Sequence, residues 1–392
     1  MLAQLTACRT AALGGHVWRC AQCGGERVSY NSCRNRFCPG CGGTRRAEWL
    51  EQLAASLLPV AHFQVVFTVP HELSRLMLAN RRELYGLLFA SAAATLQDVA
   101  ADPQHLGGQI GALLVLHTWG QRLEHHPHIH AVVPAGGLSW DGKRWLPSRA
   151  PKFLLPVRVL SAVFRGKFLE GLRALFAAGR LQVAGELAPL AEPAGFAEFL
   201  SGLYQHAWNV FCEAPPAAAD AAAEKTGTPS AAPLLKYLAR YVAGAAISAG
   251  RLISYTGREV TFWAKDYRRK RRVQVRLSGV EFTRRFALHI LPAGFARVRR
   301  IGILANHSRA AARCRELLGT PPVSPPPAAE SPARLEPAAA AAPVERPVCP
   351  ACREGRLGVV SVQPRPRLCE VLDRSGFTRE RVASARSRED SS

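Results

Sequence analysis

The sequence predicts an α+β fold, in which an antiparallel sheet with flanking helices follows a small N-terminal zinc-knuckle domain. Three observations lead there. Runs of strand length rich in β-branched, aromatic or aliphatic residues occur at 62–70, 111–119 and 128–133. Stretches at 73–99 and 153–199 instead carry apolar residues at helical intervals. Finally, six of the eleven cysteines fall within the first 41 residues, a clustering that suggests metal rather than disulfides in an intracellular chain.

The totals bound the partner. A chain of 392 residues has room for two or more domains, and 48% apolar content supplies a sizeable core. No apolar run reads as membrane-spanning, and the N-terminus lacks a basic-then-apolar leader, so a soluble, intracellular protein is expected. The net charge of +22, from 51 Lys and Arg against 29 Asp and Glu, attracts polyanions, and nucleic acid is the first candidate. Binding to a membrane surface would want a basic amphipathic helix, and no clean one is present.

In chain order, residues 1–48 form the expected zinc-binding domain. Cys20-x-x-Cys23 and Cys38-x-x-Cys41 are two knuckles separated by 14 residues, each followed by a Gly pair suited to tight turns. Four thiolates on one ion would make a closed structural zinc site, with a redox dithiol as the competing reading. Cys8, His16 and Cys33 could serve a second ion but lack an obvious fourth ligand. Residues 47–58 read as a connecting helix, and 59–318 as the main domain.

Within that domain, GALLVLHTW (111–119) reads as a buried strand, turned by 120–127 into an antiparallel partner at 128–133. His128 and His130 are two apart, so on a strand they share a face while Ile129, Ala131 and Val133 point to a core. Side-by-side imidazoles can hold a divalent cation that polarises a phosphate; polar strand residues facing solvent are the alternative. His117 and Gln121 are the candidates for a third ligand. His125 and His126 fall in the approach turn, where DNA contact is their expected role.

Further on, 213–232 is Ala/Pro-rich and reads as a flexible insertion. PLLKYLARYVAG (233–244) has Pro at a helix start and Gly at a stop. Tyr237 and Tyr241 then share one helix face beside Arg240, either packing on a core or available for chemistry. The run Arg268, Arg269, Lys270, Arg271, Arg272 is a solvated face or a nucleic-acid contact, and the overall charge favours the contact. Residues 319–347 form a Pro/Ala-rich linker, and 348–392 a tail expected to be disordered. In that tail Cys349-x-x-Cys352 is a third knuckle whose only later cysteine is Cys369.

Eight stretches resemble, in consistent order over residues 8–310, rolling-circle insertion-sequence transposases of the IS91 type: CRTAALGGHVWRC, SCRNRFCPGC, FTVPHEL, LHTWGQRLEHHPHIHAVVPAGGLS, FLLPVRVLSAVFRGKFL, YLARY, EFTRRFALHILPAGFARVR and ILANHSR. These are HUH endonucleases with two catalytic tyrosines and an N-terminal zinc-binding domain. The resemblance implies an HUH-endonuclease-like sheet and a bacterial, cytoplasmic enzyme acting on single-stranded DNA. It further implies that His128 and His130 hold Mg²⁺ or Mn²⁺ and that Tyr237 and Tyr241 are nucleophiles forming a 5′-phosphotyrosine. A zinc-dependent DNA-binding protein without catalysis would account for the knuckles and the charge, but not for paired tyrosines accompanying His-Ile-His.

Overall fold

After the short helix α1 (Leu2–Thr6), a hairpin follows Gly14: β1 (Gly15–Cys20) pairs antiparallel with β2 (Glu26–Tyr30). Gly15 permits the pairing, because a Cβ there would stand 2.6 Å from the Ser29 carbonyl oxygen. The computed structural model describes residues 2–35, 37–41, 57–214, 246–266, 269–306, 308–319 and 346–364. The chain divides into two compact units, Met1–Gly42 with Pro327–Ser392, and Gly43–Pro326. The expected connecting helix at 47–58 and the expected insertion at 213–232 lie largely outside the described residues.

In the second unit the β-rich runs become neighbours. β3 (His62–Thr68), β4 (Gly111–Trp119) and β5 (His125–Pro134) join a five-stranded antiparallel sheet, with β8 (Val210–Glu213) and β12 (Val298–Gly302) at its edges. The order is β12-β4-β5-β3-β8, so the histidine strand is the middle one. It starts at His125, earlier than the sequence suggested, which leaves only 120–124 as the turn. The small hairpin β6 (Gly136–Leu138) and β7 (Trp145–Pro147) follows it.

Strand alternation gives the sheet two different faces. Phe63, Val65, Phe67, Ile129, Ala131 and Val133 are all fully buried on one face. There Phe67 meets Phe164 at 5.0 Å between ring centroids, and Phe164 meets Trp208 at 5.4 Å. The helices α2 (Ser74–Ala79), α3 (Arg81–Ala101) and α4 (Val157–Ala177) supply this packing, and α5 (Pro193–Gln205) closes behind with Phe196 stacked on Phe176. Contrary to the sequence expectation, α3 is long and apolar enough to cross a membrane by length and composition. Its Leu84, Tyr85, Leu88, Phe89 and Leu96 are instead buried in this core.

On the opposite face Leu113, Val115 and Val132 pack with Leu57, Leu58, Leu138, Ile303, Leu304 and Cys314, the last from α7 (Ala310–Leu317). A second sheet, β9 (Leu252–Tyr255), β10 (Glu259–Asp266) and β11 (Arg271–Ser278), has its own small core of Leu123, Ala246, Ile247, Val260 and Phe262. It runs into α6 (Gly279–Leu288), whose N-terminus is capped by Ser278 Oγ accepting the Glu281 N–H at 3.2 Å. Of the Arg-rich run, Arg269 and Lys270 therefore form a hairpin tip and Arg271 and Arg272 begin β11.

Cys349 and Cys352 do not sit in a wholly irregular tail. β13 (Leu357–Gln363) pairs antiparallel with β1, giving the first unit a sheet of order β13-β1-β2. The zinc-knuckle unit is thus assembled from both ends of the sequence, not from residues 1–48 alone. The expected boundary missed this because β13, with Val359, Val360 and Val362 exposed, has too little apolar patterning to stand out beside a Pro/Ala-rich linker.

Candidate metal centre and nucleic-acid interface

Register brings three histidines together. His117 on β4 lies opposite His128 on β5, and Val115 opposite His130, so all three rings leave the same face of the two strands. Their ring centroids are 5.2 Å (His117–His128), 4.3 Å (His117–His130) and 4.9 Å (His128–His130) apart. One nitrogen from each lies within 4.8 Å of the others. His117 and His130 are buried, while His128 is half-buried at the open side. Burial pushes His130 down to about 4 and holds His117 and His128 well below the ordinary histidine value. All three are therefore neutral at pH 7, the form whose lone pair can bind a cation.

The surrounding hydrogen bonds select which nitrogen is presented. His128 Nδ1 is 2.7 Å from the His126 carbonyl, so its Nδ1–H donates there and Nε2 remains for a metal. Gln64 Nε2 lies 2.8 Å from His130 Nδ1, and a half-turn of that amide presents its oxygen to an Nδ1–H instead. Sequence reasoning missed Gln64. Its signal was a single amide inside the apolar strand HFQVVFT, where it is buried. Behind His117, Trp119 stacks on the ring at 5.3 Å, and the Arg297 guanidinium covers Trp119 at 4.6 Å.

Two sequence expectations change here. Gln121 is not placed as a third ligand: its Oε1 accepts the Lys265 N–H at 3.1 Å, and its carbonyl accepts from Arg251. Gln121 therefore fastens the turn after β4 to the second sheet. That turn is held further by Arg285 Nη1 donating to the Arg122 carbonyl at 3.0 Å and His289 Nε2 donating to the Leu123 carbonyl at 3.2 Å. Likewise His125 is not presented to DNA. It is inserted between Ser74 Oγ at 2.7 Å and Tyr85 Oη at 2.8 Å.

Outside the three-histidine cluster, His62 and His289 are also buried and His125 is half-buried. Burial lowers them to about 4, about 3 and about 4, respectively, from an ordinary 6.5. The unfolded chain takes up these protons as pH falls below 6.5, while the folded chain does not until near its depressed values. Stability should therefore be full above pH 6.5 and fall steadily towards pH 4. Each tenfold drop in proton affinity on folding corresponds to roughly 1.4 kcal/mol, so the combined loss is large for a domain of ordinary stability. Thermal melts between pH 7.5 and 4.5 test this, and an unchanged midpoint would refute it.

Among the described residues, eight cysteines form two groups of four, not the group expected. Cys8, Cys33, Cys38 and Cys41 bring one sulfur each within 4.8 Å of the others, and Cys20, Cys23, Cys349 and Cys352 do the same. The expected single site of Cys20, Cys23, Cys38 and Cys41 is thereby corrected: each N-terminal knuckle has a different pair of partners. In the first group Sγ–Sγ separations are 3.4 Å (Cys8–Cys41), 3.5 Å (Cys8–Cys38) and 3.7 Å (Cys33–Cys41). A zinc tetrahedron with Zn–S near 2.3 Å requires about 3.8 Å between sulfurs, so this donor set fits zinc. His16, on β1, belongs to neither group.

Comparison with known families bears on both regions. A family described as "Transposase zinc-binding domain" matches residues 1–69, and one described as "Putative transposase" matches 111–311, which includes the strands carrying the three histidines. The chain belongs to the IS91-type transposase family. It is 47% identical over 315 residues to "Putative transposase y4qJ" of Sinorhizobium fredii, covering 80% of this chain and 76% of that protein. It is also 29% identical over 307 residues to "Transposase for insertion sequence element IS801" of Pseudomonas savastanoi pv. phaseolicola, covering 77% and 69%. No solved structure matches it significantly.

Transposition is DNA cleavage and strand transfer, so DNA is the partner, and the family's N-terminal domain binds zinc. The transposase presents a basic hairpin suited to phosphates. Arg269 and Lys270 sit at the tip between β10 and β11, where the Arg269 N–H donates to Asp266 Oδ1 at 3.1 Å. Arg271 and Arg272 begin β11 and are exposed. Lys265 and Arg272 are directly paired, and Arg276 continues the same face. Arg268, Arg240, Tyr237 and Tyr241 lie outside the described residues.

Proposed function

We propose that this transposase nicks single-stranded DNA at its element's ends and transfers the strand through a 5′-phosphotyrosine, as rolling-circle elements do. The observation that carries the reading is the three-histidine cluster, buried, neutral and set on the central strands of an antiparallel sheet. His117, His128 and His130 would hold a divalent cation, and nitrogen donors favour Mn²⁺ over Mg²⁺. Such a cation, when bound, supplies Lewis-acid polarisation of the scissile phosphate.

The remaining work falls to the chain. Deprotonated Tyr237 or Tyr241 attacks phosphorus, a P–O bond to tyrosine forms, and the P–O3′ bond breaks. The departing 3′ oxygen takes up a proton and becomes a free hydroxyl. Strand transfer reverses the exchange, since a 3′-OH attacks the phosphotyrosine and releases the tyrosine. The second tyrosine serves the second cleavage, and no external energy source is needed because the phosphotyrosine conserves the bond. Arg240 and the cations at 268–272 bind backbone phosphates without reading bases. Cys8, Cys33, Cys38 and Cys41 hold a structural zinc, and the protein works in the bacterial cytoplasm.

The test is adduct formation. Purified protein, Mn²⁺ and single-stranded oligonucleotides of the element's own termini should yield a band stable to denaturing detergent. Chelating the divalent ion should remove it. An equal yield with and without chelator, or no adduct under any divalent condition, would show the reading to be wrong.

A further inference from the structure

We propose that Cys20 and Cys23 are completed by Cys349 and Cys352 into a second four-thiolate zinc site, which ties the end of the chain to its beginning. Each knuckle has only two sulfurs of its own, and a closed structural zinc site needs four. The missing two come from cysteines more than three hundred residues away: Cys20 and Cys352 are 332 positions apart, and Cys23 and Cys349 are 326. Their Sγ–Sγ distances are 3.7 Å and 3.8 Å. That is the edge length of a sulfur tetrahedron around an ion at about 2.3 Å, and far beyond the ~2.05 Å of a disulfide.

The backbone is built alike on both sides. The N–H of Cys20 donates to the Gly25 carbonyl at 3.0 Å, and that of Cys349 to the Gly355 carbonyl at 2.7 Å. The carbonyl of each leading cysteine accepts from the residue four positions on, Gly24 at 3.1 Å and Arg353 at 2.8 Å. Those two residues are both left-handed, with φ of 68° and 61°. Arg353 adopts a conformation that costs an ordinary residue energy, and it does so where the other knuckle uses glycine. Two loops of different sequence thus close into similar turns, the second one residue longer, and face one another.

Side chains close the site. Cys20 and Cys349 are buried and, with Leu357, form a small core that Trp18 and Cys352 adjoin. Gly355 donates its N–H to Cys352 Sγ at 3.3 Å, a contact that favours the thiolate. A Cβ on Gly355 would stand 2.4 Å from Cys20 Sγ, so glycine is what lets the loops approach. Gln22 Nε2 donates to Glu354 Oε2 at 3.0 Å across the same junction. Loop-closure cost rises only logarithmically with length, so the long intervening segment does not prevent such a clasp.

Metal content and thiol protection of the full chain test this. The zinc-loaded protein should contain one zinc for each of the two four-cysteine groups. Cys349→Ser combined with Cys352→Ser should halve that content, while Cys8, Cys33, Cys38 and Cys41 stay protected from alkylation. The unmutated protein guards against a misfolded variant. In it Cys20, Cys23, Cys349 and Cys352 should resist iodoacetamide and become reactive together as a chelator is titrated. Three results would each overturn the proposal: free alkylation of Cys349 and Cys352 in zinc-loaded protein, unchanged zinc in the double variant, or a disulfide recovered among the four.

Discussion

Changing His128 and His130 together to Ala should abolish Mn²⁺-dependent adduct formation, with a loss of at least about a thousandfold. The two rings contribute two of the three nitrogens that converge within 4.8 Å. His117 alone would bind a cation too weakly to hold a phosphate in line for attack. Val66 and Val115, the register partners of His130, offer no donor to take its place. Zinc content should not change, since no histidine joins either cysteine group. Loss of zinc in this variant would mean general unfolding, and undiminished adduct would remove the cluster from the mechanism. Gln64→Ala should have a smaller effect, raising the Mn²⁺ concentration needed without changing the product, because Gln64 orients a ligand and touches no substrate.

Tyr237→Phe combined with Tyr241→Phe should eliminate the covalent adduct while leaving DNA binding intact. Phenylalanine keeps the ring and its packing but removes the nucleophilic oxygen, so the change separates the two readings of this pair. A purely structural stripe predicts little change, and a nucleophilic pair predicts complete loss. The single variants divide the labour. The one that forms no adduct at all names the first nucleophile, and the one that still forms adduct but no joined product names the second. Undiminished adduct from the double variant would require a different nucleophile.

The antiparallel sheet was legible in the sequence because its signals are local. Gly111–Trp119 is a short, almost continuous apolar run of strand length, the residues after His125 put histidines and apolar residues on opposite faces, and the close turn at 120–124 obliges the two to pair antiparallel. From that pairing His117 necessarily approaches His128. Gln121 was harder. It lies one turn beyond the strand, and only the second sheet, through Lys265 and Arg251, decides that its amide is occupied. His125 was misread for a similar reason: its partners Ser74 and Tyr85 belong to helices whose sequence says nothing about which strand residue they cover.

What the sequence by itself determined is the chemistry available: three knuckles, a His-x-His pair and a strongly basic surface. Residue type and period-two alternation are properties of neighbours along the chain, so they survive without a structure. What only the tertiary structure decided is partnership. Every Cys-x-x-Cys is locally equivalent, and nothing within a knuckle says which other knuckle it will meet. The pairing of Cys20 and Cys23 with Cys349 and Cys352 follows from β13 adding to β1, a contact between the chain's two ends that no local pattern encodes.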